Sequence, residues 1–305
     1  MGRDARPEVA PRISPTDSVA KPVGIRAAWS ILLGMSAKTV ASGKSSSKAT
    51  ARRPSIKRPT ITRPHLTRDD VRRSVPVSLF RASHPRQAVI TAVLLAGAAA
   101  VAGRPTREVV LVLATVLVGQ AVLGWENDLV DMQRDRRHGR SDKPLAQRVV
   151  EPGTVSFALA CGILLLIPLA VAHGPEAGIP YLVAVGVGAL ANAGLLRRTP
   201  LSFVPWMVSF GLLPVFLARG GWGGEAADAS AEPMMVALFA LLGVGAHVLL
   251  ALPGLVDDNK DDFRHLPLTL ALKSSAQRML LFGGAFTAAV GVGILITGLT
   301  TGLAR

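Results

Sequence analysis

The chain has 305 residues, half of them hydrophobic, with a mean hydropathy of +0.40 and only 5% aromatic residues. That is too apolar for an ordinary soluble domain and suits helices that span a bilayer. The net charge of +14 sits in a terminal tail and in short loops, which argues against nucleic acid as its partner and reads as the positive-inside signal of a membrane protein. With Cys161 as the one cysteine, no disulfide framework is possible.

Residues 1–75 carry 16 Lys and Arg against five Asp and Glu. Stretches such as Lys44-Ser45-Ser46-Ser47-Lys48 cannot bury enough surface to fold. Residues 1–77 are therefore expected to form a disordered basic cytoplasmic tail that meets anionic lipid. A start codon placed too early explains the tail equally well. The piece 25–35 is mildly apolar but too short to span, and no cleavage-like junction follows it.

Seven apolar stretches follow, at 88–103, 109–125, 155–172, 179–196, 201–218, 234–255 and 279–299. Most approach the ~20 residues needed to cross a bilayer core. In lipid they must be helices, because backbone groups there find no water to bond. The expected fold is all-α, a polytopic bundle of seven transmembrane helices. Loops after the second, fourth and sixth stretches are basic, whereas those after the third and fifth are not. The basic loops and the N-terminus are therefore placed in the cytoplasm, in a multi-pass protein of the plasma membrane.

The second stretch runs into Asn127-Asp128-Leu129-Val130-Asp131-Met132-Gln133-Arg134-Asp135. Asp128, Asp131 and Asp135 are spaced by three and four residues, so on a helix they share one face. Like charges stacked this way repel, and a divalent cation such as Mg²⁺ would relieve them; it binds carboxylate oxygens together with substrate phosphates. The sixth stretch ends in a second acidic run, Asp257-Asp258-Asn259-Lys260-Asp261-Asp262. Two clusters on one membrane face look like two halves of a metal–diphosphate clamp, with Arg140 and Lys143 meeting phosphate oxygens. The alternative is that these acids pair with neighbouring arginines, and that Arg140 and Lys143 only set topology.

The first acidic run, with the continuation Gly139-Arg140-Ser141-Asp142-Lys143-Pro144-Leu145-Ala146, resembles the first Asp-rich motif and following loop of the UbiA family of intramembrane prenyltransferases. Arg81-Ala82-Ser83-His84-Pro85 resembles the approach to that family's first helix. The resemblance covers about residues 78–300, the expected membrane domain being 78–305. It implies Mg²⁺-dependent transfer of a prenyl or polyprenyl group from its diphosphate to an electron-rich, often aromatic, acceptor within the membrane. It also implies that Asp131, Asp135 and Asp258 are catalytic and that Asn127, Asp128, Arg140 and Lys143 bind diphosphate. Asp128, Asp131, Asp135, Asp257, Asp258 and Asp262 would ligate metal.

Two departures from the family pattern stand out. The family has an Asp-x-x-x-Asp pair in its second motif. One register puts Gly254 and Asp258 there; the other puts Asp258 and Asp262. The family also has nine helices, and seven stretches precede Arg305, so the sequence is either C-terminally truncated or that of a shortened relative. The rival functions are a catalytically silent, lipid-binding relative and an ion-coupled transporter. Gln120 and Asn192 within spans read as interhelical hydrogen-bond partners or cavity groups, and His247 as a packing residue or an acceptor-orienting one.

Overall fold

The computed structural model describes residues 73–220 and 229–302. The expected basic tail, as far as residue 72, lies outside the described residues. The helices are α1 (Val75–Ala82), α2 (Pro85–Val101), α3 (Thr106–Arg137), α4 (Pro152–Ala172), α5 (Pro175–Asn192), α6 (Val204–Ala218), α7 (Pro233–Ala251), α8 (Leu255–Lys260), α9 (Leu266–Lys273) and α10 (Ala276–Thr300). Short 3-10 turns, Pro200–Phe203 and Leu252–Gly254, lead into α6 and α8. Seven of the ten helices carry proline in their first turn. Its missing N–H costs nothing there and its fixed φ favours a helix start.

Each of the seven apolar stretches falls mainly within a helix. Among the described residues, five helical segments are long and apolar enough to cross a membrane, and six if α1 and α2 form one span bent by 57°. The remaining stretch, α5, has 18 residues that include Pro175, Glu176, Pro180 and Asn192, and it falls outside that set. The short helices α1 and α9 are not announced by any apolar stretch. The α1–α2 bend sits at Ser83-His84-Pro85, where Pro85 cannot continue the helical ladder and His84 takes a left-handed φ of 53°.

At 32 residues, α3 is the longest helix. It continues past Trp125, where the apolar stretch stops, through the whole first acidic motif. It packs against α2, α4 and α5; α6 packs against α5 and α7, and α7 against α10. The main core gathers Leu95 and Ala99 of α2, Val112 and Val116 of α3, Leu166 of α4, Tyr181 of α5, Phe216 of α6 and Met235 of α7. Glycines permit close approach of backbone at several points. A Cβ at Gly124 would stand 2.6 Å from the carbonyl carbon of Ser83, and one at Gly243 would strike the Trp206 carbonyl oxygen.

The outer surface is inverted relative to a soluble protein. Leu94, Leu164, Leu281, Phe282 and Leu295 are each about two-thirds exposed. An apolar surface of this extent would aggregate in water and is at home in lipid. The protein is a multi-pass integral membrane helical bundle.

Candidate active site at the acidic end of the bundle

A small second core forms beside the first motif. Ala82, Leu145, Val150 and Val155 pack with Leu79, Trp125, Leu129 and Met132. The Trp125 indole N–H donates to the Leu79 carbonyl at 2.9 Å. This core folds the 138–151 loop back beneath α1 and brings Lys143 to the motif.

Asp128 is 1% exposed. Its Oδ1 accepts from the Lys143 ammonium and from His84 Nε2, the latter at 2.9 Å. Its Oδ2 is buried with no hydrogen-bond partner among the described residues. Lys143 also donates to Asn127 Oδ1 at 3.3 Å. Lys143 Nζ and His84 Nε2 stand 3.1 Å apart. An ammonium only donates, so with the His84 N–H turned to Asp128 these two are neighbouring donors on one carboxylate.

Asp131 is held by a bidentate guanidinium from the loop after α5: Arg197 Nη1 and Nη2 donate at 2.7 and 3.2 Å. The Asp135 carboxylate is buried and makes no hydrogen bond or ion pair among the described residues, while the Asp135 backbone carbonyl accepts from the Arg140 N–H at 3.0 Å. Arg140 is turned to Asp142, with two hydrogen bonds of 2.9 Å. Those bonds hold the Asp142 carboxyl down at about 2 despite partial burial.

The second motif lies at the same end of the bundle. Asp258, also buried, accepts from Arg134 Nη2 at 2.7 Å and from His265 Nε2 at 3.0 Å. His265 Nδ1 accepts from the Leu268 backbone N–H, so its Nε2 is the proton-bearing nitrogen that donates to Asp258. Asp261 accepts from Arg134 Nε at 2.5 Å and meets His138 Nε2 at 3.1 Å. Burial would raise the Asp261 carboxyl, but these partners outweigh it and hold it below the usual carboxylate range. Asp257 meets His138 Nδ1 and Lys260, each at 3.2 Å.

Asp262 follows the end of α8 in a left-handed conformation, φ 54°, and is exposed. Gly254 sits one turn before Asp258, where an added Cβ would be 3.3 Å from its Oδ2.

The structure thus gathers Asn127, Asp128, Asp131, Lys143, Asp258 and Asp261 at one end and leaves Asp262 outside. It also brings in residues that the motifs do not single out. The guanidinium carbons of Arg134, Arg197 and Arg198 lie 5.1, 5.0 and 5.3 Å from the centre of the Phe263 ring. Such cation–π contacts draw three like charges around one aromatic face. In the sequence, Arg134 lies within the first acidic run and Arg197-Arg198 in the basic loop after the fourth stretch, and none of them has a legible partner.

Two of the polar span residues make hydrogen bonds between chain segments. Asn192 Nδ2 bonds the Leu123 carbonyl and Glu126, and His247 meets Ser202 Oγ at 2.9 Å.

The donor set suits a hard divalent cation in type: it consists of carboxylates, the Asp128 Oδ2 is orphaned, and the Asp135 carboxylate is unpaired. Among the described residues, however, no three acidic, His or Cys groups converge as metal ligands. Basic side chains stand between the carboxylates instead.

Residues 88–304 match the UbiA prenyltransferase family. The chain belongs to that family, whose members are intramembrane prenyltransferases. No curated protein matches the sequence. The bundle is similar to the structure of a UbiA homolog from Archaeoglobus fulgidus bound to Cd²⁺, with a TM-score of 0.52 and 12% identity. The match covers 74% of this chain and 90% of that one. At that identity the likeness speaks for the fold.

Proposed function

We propose that the chain transfers a prenyl or polyprenyl group from its diphosphate to an electron-rich acceptor, an aromatic ring above all, within the membrane. The observation that carries this reading is the meeting of two acidic motifs at one end of an apolar bundle in a member of this family. Asp128, Asp131 and Asp135 on α3 and Asp257 and Asp258 at the other motif would hold Mg²⁺, and Asp262 would join them only if its loop turned inward. Bound there, Mg²⁺ would supply positive charge to neutralise the leaving diphosphate.

The other roles fall to this chain's side chains. Lys143 and Asn127 stand together at Asp128 and orient the diphosphate, and Arg140 reaches it on release from Asp142. Asp131, Asp135 and Asp258 set the position of the leaving group. The apolar core keeps water from the cation formed. The acidic end and the N-terminus face the cytoplasm, and the membrane is the plasma membrane.

Membranes containing the full chain, given radiolabelled polyprenyl diphosphate, are expected to release diphosphate in Mg²⁺ and not in EDTA. Asp131→Asn, Asp135→Asn and Asp258→Asn are each expected to lose that activity. Release that is equal in all four proteins, or absent from all of them, would sink the assignment; its absence would favour a catalytically silent lipid-binding relative, the second reading, which rests on the pairing of the carboxylates with basic side chains.

A further inference from the structure

Arg134, within the first acidic motif, reaches the second with two direct hydrogen bonds, and His138 beyond the motif joins it there. Arg134 lies on α3 between Asp131 and Asp135, yet its guanidinium turns to the other motif. Nη2 meets Asp258 and Nε meets Asp261, at 2.7 and 2.5 Å. Its side chain is 17% exposed and that of Asp258 9%. The remaining oxygen of Asp258 is taken by His265. Each oxygen of Asp258 thus already accepts a hydrogen bond from a basic side chain.

A guanidinium and a divalent cation solve the same problem by different means. Each neutralises carboxylates from two chain segments. A guanidinium does so with N–H donors in a fixed plane and has no acceptor. A hard cation needs the carboxylate oxygens themselves. A cation on an Asp258 oxygen would stand beside the guanidinium already bound there, and two like charges repel at that range. We propose that Arg134 is an internal stand-in for the bridging cation: in the metal-free protein it holds the two motifs together through Asp258 and Asp261, and cation binding at Asp258 requires it to leave. The proposal rests on the metal-dependent reading above. Arg134 is then a positioning residue, and the released guanidinium keeps a seat on the Phe263 ring beside Arg197 and Arg198.

The test uses the full chain in lipid nanodiscs, with Mn²⁺ as the probe and its free-ion electron paramagnetic resonance signal as the readout. Arg134→Gln is expected to bind Mn²⁺ roughly tenfold more tightly than wild type, because a charge-assisted bond no longer competes for Asp258. In EDTA the same variant is expected to unfold at a lower temperature than wild type, and Mg²⁺ is expected to raise its midpoint more than that of wild type. Arg198→Gln removes an equal charge from the same ring without touching a carboxylate, and its Mn²⁺ affinity is expected to stay near that of wild type. Phe263→Leu loosens the seat of Arg134 and keeps its charge; it is expected to tighten Mn²⁺ binding by less, and it serves should Arg134→Gln fail to fold.

Equal Mn²⁺ affinity in wild type, Arg134→Gln and Phe263→Leu overturns the stand-in role and leaves the metal-dependent reading intact. Equal tightening by Arg198→Gln and Arg134→Gln overturns it as well, since the general field would then be the cause. Absence of Mn²⁺ binding in every protein overturns both readings.

Discussion

His84 Nε2 lies 2.9 Å from Asp128 Oδ1, so the corner between α1 and α2 is bonded directly to the first acidic motif. The left-handed backbone of His84 and the proline after it aim the ring at α3. The bend is therefore part of the site. His84→Ala is expected to lower the rate of diphosphate release and to leave the helical content unchanged, as read by circular dichroism alongside the radiolabel assay.

Lys143 is the second donor to the same buried carboxylate. Its removal leaves Asp128 with His84 alone in a nearly water-free position. Lys143→Met is expected to destabilise the protein by about 3 kcal/mol, the lower end of what is lost when one partner of a buried pair is removed. Thermal unfolding in a fixed detergent measures it. Lys143→Arg, which keeps the charge, should recover most of the loss.

Arg197 grips Asp131 with two nitrogens, a geometry that lysine cannot reproduce. Arg197→Lys should therefore behave more like Arg197→Gln than like wild type. Both are expected to reduce stability by about 1–3 kcal/mol, the range for hydrogen bonds to charged groups, and to slow diphosphate release. A lysine variant with wild-type activity and stability would show that the bidentate geometry is unimportant.

Gly124 offers a test away from the charges. Its added Cβ meets the Ser83 backbone at 2.6 Å, and backbone cannot rotate aside as a side chain can. Gly124→Ala is expected to cost about 1–3 kcal/mol through overpacking. It should also weaken activity by displacing His84. Gly186→Ala serves as the control, because nothing lies within 4 Å of its Cβ position.

The Arg140–Asp142 pair sets a pH expectation. The carboxyl is lowered in the folded protein, so the pair stabilises the fold above its ordinary range and fades as the pH falls. Any stability difference between wild type and Asp142→Asn should be constant above about pH 4 and vanish as the pH drops through about 2. Unfolding midpoints measured across that range decide it.

Much of this arrangement is legible in the chain. Apolar runs locate the spans because a bilayer imposes one length and one hydrogen-bond rule on all of them. The spacing of Asp128, Asp131 and Asp135 places them on one helix face. The continuation of α3 to Arg137 is harder to read, because its last turns are polar and are buried by protein rather than lipid. The pairing of Arg197 with Asp131, 66 residues apart, and of Arg134 with Asp258, 124 apart, is not legible at all. A basic residue beside a membrane has many possible partners, and only the packing of α3 against α5, and of α6 against its neighbours, selects one. Phe263 reads as an ordinary apolar residue until three guanidiniums are found around it.

At the other end of the bundle, Arg104 donates to the Leu217 and Ala218 carbonyls at 3.0 Å each and to Glu108 at the same distance. This ties the α2–α3 turn to the end of α6, with Arg219 and Glu176 adding a second tie at 2.8 Å. The two halves of the helical array are thus fastened far from the carboxylates by bonds that no diphosphate or cation would disturb. At the acidic end, the fastenings are ion pairs that such a ligand would exchange.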